Sequence, residues 1–468
     1  MRNYLSRLGT TLKTIALLMA VSGALPLPAA EPVLNRADED FLKEQARLLV
    51  NSARLKAGQA VGKYRNTTPY DVRLPCGNMT YRASFLKDAV WMLSGDFISA
   101  PELEGWIRLT SGILRGPEDW HVRPGVIIPA YAVPDHINFD GQASFYPGNY
   151  ETGNKQGGYP FGKYPPLDND FYFITAVYEH WKLTGNLSLF NSMVKTSFSE
   201  MQLADLCEKV YQRPPVDRAT GLVFAGDIRT ENAKDWGFCD GVFKSGKLLF
   251  PSILKYVAAG QLAQLFEAAD QPARAKRYRE DAARIKGAIP QTFFRPSQSG
   301  TEGWLHSATG VGNQPDVWGS AFAIYTGAVE APTAPKVARA LVRAFREKTA
   351  VREGCVREIL TTDRVNQGGW QEVVTHPLIR LGIGQNGGYW GTATGWYICA
   401  IFTVDSKAAT DMAKDYIQFL RGNMRADGMA EAWENFNPDL SSYSNPHYVS
   451  TVALPYLCLK NAGLLNTR

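Results

Sequence analysis

The sequence predicts an all-α fold: an (α/α)6 barrel, a toroid of six helical hairpins, with a small β-containing loop insertion. Three observations predict it. Helical patterns recur roughly every 35 residues along the chain. They alternate between amphipathic segments and segments that, in the later part of the chain, carry no charge. The connections between them are very unequal, and the long ones all lead from an outer segment into the next inner one.

Twelve helical spans follow from the periodicity: 38–56, 81–94, 101–115, 168–185, 187–212, 248–269, 271–291, 316–328, 332–348, 389–405, 407–422 and 447–463. The odd-numbered spans read as surface helices. In 271–291, Ala275, Tyr278, Ala282, Ile285 and Ile289 step by threes and fours, with Arg and Glu between them. Asp270 before Pro272 reads as a cap and first turn, and Asp405 and Thr333 read as caps of two others. The later even-numbered spans have no polar face. Segments 317–329, 389–404 and 448–459 contain no charged residue. A helix apolar on every side must be enclosed by protein. Six enclosed and six half-exposed helices make two concentric rings, whereas an open solenoid has more regular repeats.

The long connections are 115–167, 213–247, 292–315, 349–388 and 423–446. Each joins an outer helix to the next inner one, so all five emerge at one end of a double ring. Stretch 115–167 is rich in Pro, Gly and aromatics and reads as the β-containing insertion. Residues 31–468 read as one domain, with no second core and a monomeric state.

Residues 1–30 read as a secretory signal: Arg2, Arg7 and Lys13, then the apolar run 14–25, then Ala29 and Ala30. This places the protein outside the cytoplasm, periplasmic or secreted, with no membrane attachment after cleavage. Segment 389–404 is too short to span a bilayer. The chain carries +5, and the three basic residues of 1–30 leave +2 for the rest. No basic block with interleaved aromatics appears, which excludes a nucleic-acid partner. The six cysteines form no CxxC pair, and the six histidines form no HxH or HExxH, so neither a metal site nor a cofactor is expected. Eleven Trp, 21 Tyr and 22 Phe are enough for a large core and for faces that stack on sugar rings.

The acids sit where the loops converge. The loop before the sixth helix carries Asp227, Glu231, Asp235 and Asp240 beside Trp236, and the loop before the twelfth carries Glu431, Glu434 and Asp439 beside Trp433. A glycosidic bond needs one acid to protonate the leaving oxygen and a second carboxylate to activate water or attack. Two acid-rich loops at one end of a barrel meet that need. Other inner-helix starts supply candidate sugar contacts: Arg82, Asp88 and Trp91 in YRASFLKDAVWML, Asp168 in PLDNDFYF, Asp316 and Trp318 in QPDVWG, and Tyr389 and Trp390 in QNGGYWG. Asp168 and Asp316 also read as helix caps. Asp88, in mid-helix, reads as a ligand for a sugar hydroxyl or a partner of Arg82.

These segments, together with DNDFYFITAVYEHWKLTGN, DWGFCD and AWENFNPD, resemble those of the six-hairpin glycosidases and cover residues 80 to 456 in the family's order. Within that group the chain looks closest to glycoside hydrolase family 63 and the mannosylglycerate-hydrolase-like proteins. The resemblance implies an exo-acting hydrolase of an α-linked oligosaccharide or glycoside, working with inversion. ENFNP resembles the ENYNP-type segment whose Glu is the general base, which here is Glu434. The family's acid lies in a Gly-Trp-Asp-type segment. This chain reads KDWGFCD there, giving Asp235 as acid with Asp240 second, and Glu431 as the fallback base. Inversion requires the two carboxyls to be about 6.5–9.5 Å apart. Two other classes remain open at this point. A polysaccharide lyase would use His121, His136 or His447 with Tyr389, and a glycan-binding protein would bind without turnover.

Overall fold

The uncharged segments 317–329, 389–404 and 448–459 supply helices that the fold encloses. The computed structural model describes residues 31–93, 96–123, 126–145, 166–226, 244–360, 384–437 and 439–466. Among them are twelve α-helices: α1 (Arg36–Ser52), α2 (Leu86–Val90), α3 (Ala100–Ile113), α4 (Asn169–Thr184), α5 (Leu203–Gln212), α6 (Leu249–Ala268), α7 (Pro272–Phe293), α8 (Val317–Tyr325), α9 (Thr333–Arg346), α10 (Thr394–Phe402), α11 (Ser406–Gly422) and α12 (Ser450–Asn461). The enclosed helices pack in series: α2 on α4, α4 on α6, α6 on α8, α8 on α10 and α10 on α12. The half-exposed ones lie against them, α1 on α12, α3 and α5 on α4, α7 on α6, α9 on α8 and α10, and α11 on α10. One continuous core runs from Val33 to Leu465.

Aromatic rings from successive inner helices meet at the middle. Trp91, at the end of α2, stands edge-on to Tyr172 of α4 at 5.4 Å and to Trp396 of α10 at 5.3 Å. Phe322 of α8 lies 4.7 Å from Trp396 and stacks on Phe250 of α6 at 5.1 Å. Each such ring removes roughly 150–250 Å² from water, worth about 4–6 kcal/mol before entropy is charged against it. Close approach of α10 and α12 depends on Gly395, where an added Cβ would lie 2.6 Å from Cβ of Cys458 and 2.8 Å from Cα of Pro455.

Several boundaries differ from the sequence expectation. The span 81–94 is helical only over α2. Residues Ala83–Phe85 instead form strand β1, paired with β2 (His136–Asn138), which pairs in turn with β3 (Ala143–Ser144). The span 187–212 opens with a hairpin, Met193–Lys195 against Glu200–Gln202, before α5. The span 389–405 likewise opens with a strand. That strand, β6 (Tyr389–Trp390), belongs to a five-stranded antiparallel sheet with β4 (Val351–Arg352), β5 (Cys355–Arg357), β7 (Asn435–Phe436) and β8 (Tyr443–Ser444). The β-structure is therefore spread over several loops and not confined to 115–167. Extended pairing satisfies backbone groups that a long loop would otherwise leave exposed.

Of the expected caps, Asp405 accepts from the Ala408 N–H of α11 as anticipated. Asp270 does not cap α7: it adopts a left-handed φ of 55° and Gln271 takes the cap position. Thr333 is already inside α9, behind Pro332. Asn66, which opens an Asn-Thr-Thr triplet of the glycosylation pattern, is fully buried, its amide donating to Leu55, Lys56 and Tyr70 carbonyls. No described helix is long and apolar enough to cross a membrane. The leader-like residues 1–30 lie outside the described residues.

At the C-terminal ends of α2, α4 and α12 a cavity of about 210 Å³ is lined by Leu93, Leu103, Glu179, Leu183 and Leu457. Burial pushes the Glu179 carboxyl up from 4.5 to about 7, against the pull of Lys182. A carboxyl with a raised folded-state pKa binds its proton more tightly in the folded protein. Stability is then favoured below about pH 4.5 and falls as pH rises through about 7. Glu179→Gln is expected to raise the unfolding midpoint at pH 8 and leave it unchanged at pH 4. Equal shifts at both pH values in thermal melts would contradict this assignment.

Candidate active site

Glu434 precedes β7 and is held at both ends of its residue. Its N–H donates to the carbonyls of Ser444 (3.0 Å) and Asn445 (3.1 Å), so β8 fixes the backbone. Its side chain is only 7% exposed. The Tyr81 hydroxyl donates to Oε1 at 2.8 Å, and the Asn445 amide donates to Oε2. Asn445 reaches it from a left-handed backbone conformation, φ 43°, followed by His447 at φ 59°. Asn tolerates that region better than most residues, and such conformations concentrate where geometry is functionally constrained.

A second buried carboxylate lies close by. Asp88 accepts from the hydroxyl of Tyr448, whose ring lies 6.2 Å from Tyr81 and 6.3 Å from Trp390. Burial first, then Asp88 and Glu434, push the Tyr448 hydroxyl well above its ordinary value, so it stays protonated and remains a donor. The Cys76 thiol is pushed up by burial and by the same two carboxylates, Glu434 before Asp88. Five polar groups, Tyr81, Asp88, Glu434, Asn445 and Tyr448, thus converge from the segments before β1, in α2, before β7 and before α12.

The sequence candidates divide. Glu434, Asp88 and Trp390 come together. Asp88 is bonded to Tyr448 and not to Arg82, which instead lies exposed over the ring of Tyr64 at 5.1 Å and donates to its hydroxyl at 2.7 Å. The expected Asp88–Arg82 pair is therefore corrected. Trp91 and Trp318 belong to the axial packing. Trp318 is 1% exposed and stands edge-on to Trp390 at 5.6 Å. Tyr389 stacks on Phe436 at 5.6 Å with Arg357 above its ring. Asp316 caps α8 by accepting from Gly319 N–H at 2.6 Å. Asp168 is fully buried at the start of α4 without capping it. Glu431 pairs with exposed Arg425 at 3.3 Å and lies 3.7 Å from buried His447. Asp439 is exposed in a turn, accepting from Ser441 N–H. Asp235, Trp236 and Asp240, with Asp227 and Glu231, lie outside the described residues.

Sequence reasoning passed over Tyr81, Asn445 and Tyr448. Tyr81 opens the segment that contributed Arg82 and Asp88, and Asn445 and Tyr448 sit in the SNPHY stretch of the acid-rich loop. Neutral residues give no charge signal in a sequence.

No protein-family model and no curated protein matches the chain. Solved structures do. A glucoamylase from Saccharomycopsis fibuligera is 12% identical, with 96% of this chain covering 100% of that one at a TM-score of 0.55. A rhamnosidase from Klebsiella oxytoca with rhamnose bound is 14% identical, with 95% of this chain covering 67% of that one at 0.54. A metal-independent alpha mannosidase from Streptococcus pneumoniae, in a non-productive complex with alpha-1,6-mannobiose, is 12% identical, with 92% of this chain covering 95% of that one at 0.53. The chain is similar to these glycosidases in fold.

If Tyr81 and Glu434 are coupled as the geometry indicates, Tyr81→Phe should cost about 1–3 kcal/mol of stability. The same change in a Glu434→Gln background should cost measurably less. A denaturant double-mutant cycle with no interaction energy would show that the bond contributes nothing.

Proposed function

We propose that the protein is an exo-acting glycoside hydrolase that cleaves an α-linked glycoside with inversion, on a closed (α/α)6 barrel formed by residues 31–468. Glu434 is the general base. The acid comes from the loop 227–243, Asp235 first and Asp240 second. The observation that carries this reading is the buried Glu434 carboxylate held by Tyr81 and Asn445. A carboxylate has about four lone-pair sites. Two of its donors, one on each oxygen, fix the group in place. Glycosidases among the fold neighbours, a glucoamylase, an α-mannosidase and a rhamnosidase, support the same class.

In this mechanism the acid gives its proton to the glycosidic oxygen as the bond to the anomeric carbon breaks. Glu434 takes a proton from the water that attacks that carbon on the opposite face. The aglycon leaves as an alcohol, and the two carboxyls exchange protonation states until solvent restores them. Asp88 and the Tyr448 hydroxyl sit beside this axis as fixed polar contacts for the bound ring. Glu431 is a weaker candidate because Arg425 and His447 already hold it at the surface. The lyase alternative has less support: His136 is held by Asp135 and His447 lies against Glu431. The leader-like residues 1–30 support export, and the substrate is an oligosaccharide or glycoside met by a monomer outside the cytoplasm.

The test is turnover on a panel of α-linked gluco-, manno- and rhamno-oligosaccharides. Glu434→Gln is expected to cut turnover by about 10²–10⁴-fold while sugar binding survives. Glu431→Gln is expected to stay within a few-fold of the unaltered protein. The reverse pattern would move the base to Glu431, and full activity in both would remove this loop from the chemistry.

A further inference from the structure

A second polar wall stands on the same side as Tyr81, built from β2 and the starts of α2 and α4. Ile137 packs into the small cluster with Val72 and Leu109, toward outer helix α3. Strand alternation turns His136 and Asn138 to the opposite side. That side carries Phe85, whose ring lies 4.6 Å from His136 and stands edge-on to Tyr81 at 5.5 Å. Tyr81 is the phenol that holds Glu434, so the wall is continuous with the proposed base.

Asn138 on this wall, Asp135 just before the strand and Asn169 at the start of α4 all carry buried side-chain polar atoms without a hydrogen-bond partner. His136 Nδ1 donates to Asp135 Oδ2 at 2.9 Å, both side chains being buried. Burial pushes the Asp135 carboxyl up, but Lys87 first, then His136 and Asn169, outweigh it and hold the group below its ordinary value. It is therefore an anion. Its other oxygen, Oδ1, has no hydrogen bond of ordinary length: Lys87 Nζ stands 3.8 Å away as an ion-pair partner, and the Asn169 amide lies beside the carboxyl. Asn138 is 5% exposed, and its amide oxygen and nitrogen are both buried without a hydrogen-bond partner. Buried polar atoms in folded proteins are nearly always paired, and the exceptions call for an explanation.

Sugar hydroxyls supply what these groups lack. A hydroxyl both donates and accepts. One placed between Asp135 Oδ1 and Lys87 Nζ donates to the carboxylate and accepts from the ammonium. The Asn138 amide pairs with another in either direction. A carboxylated sugar would set a second anion beside Asp135 in a buried place, which is unfavourable. We propose that Asp135 and Asn138 are specificity-determining residues for a neutral, polyhydroxylated glycon, each binding one of its ring hydroxyls. This rests on the glycosidase reading and deepens it.

The test measures binding, independently of turnover. The intact protein is titrated by calorimetry with D-glucose, D-mannose and L-rhamnose, then with monodeoxy derivatives of whichever binds. The expected result is that one of the three binds and that removing one particular hydroxyl weakens it about 10- to 100-fold, the scale of a hydrogen bond to a buried polar or charged partner. Asn138→Ala should cost a similar factor with the parent sugar and nothing further with that deoxy sugar. Asp135→Asn, which keeps the volume, should show the same coupling with a different hydroxyl and carries the test if Asn138→Ala does not fold. Equal losses across all sugars, no loss at all, tighter binding of a uronic acid, or binding of none of the three would overturn the proposal. A Glu434→Gln variant that keeps full turnover would sink the base assignment and leave this binding result standing.

Discussion

The packing of rings along the axis is the constraint on which the rest of the molecule depends. Trp91, Tyr172, Phe250, Phe322 and Trp396 come from five different inner elements and touch in one cluster. Enclosed helices packed around an unfilled space would expose apolar faces to water, and these side chains fill the space between them. Trp318 and Trp390 extend the cluster toward the loop end, and Tyr448 and Tyr81 continue it to Glu434. The same contacts that bury the inner helices therefore give the candidate base a rigid floor. A carboxylate on a mobile loop would have no fixed distance to a reacting carbon. Held between β7, β8, Tyr81 and Asn445, this one is fixed in place.

How far the sequence revealed this differs by element. Absence of charge in 317–329, 389–404 and 448–459 identified enclosed helices, because burial of an unpaired charge is prohibitive. The 3,4 spacing in 271–291 identified an outer one: Ala275, Tyr278, Ile285 and Ile289 are all buried. Short strands were missed because two or three residues of pairing leave no periodic pattern. β1 lies within an otherwise apolar run and β6 directly precedes a helix, so tertiary pairing set their conformation. The cap at Asp405 was readable from its position, whereas Asp270 was displaced by the turn geometry in front of Pro272.

At the site, carboxylates were legible and their partners were not. Glu434 and Asp88 were found as acids in an apolar or aromatic setting. What distinguishes Glu434 from Glu431, three residues earlier, is its set of partners: a phenol and an amide, against an exposed Arg and a buried His. That difference is made by residues 81 and 445, distant in sequence and neutral. The pairing of Asp88 with Tyr448 was hidden for the same reason, since Tyr448 is 360 positions away. Asp135 and Asn138 gave no sequence signal at all. Their significance lies in what they fail to contact, which only coordinates reveal.

The account's central claim is that Glu434 activates a water on the face opposite the leaving group. The most direct measurement follows the anomeric proton of the first-formed sugar by NMR during hydrolysis of an α-linked substrate, before mutarotation intervenes. The account predicts that the β-anomer appears first and the α-anomer only later, at the rate of spontaneous mutarotation. First appearance of the α-anomer would require a covalent intermediate and contradict the role given to Glu434. An unsaturated product, or no hydrolysis of any α-glycoside, would contradict the account as a whole.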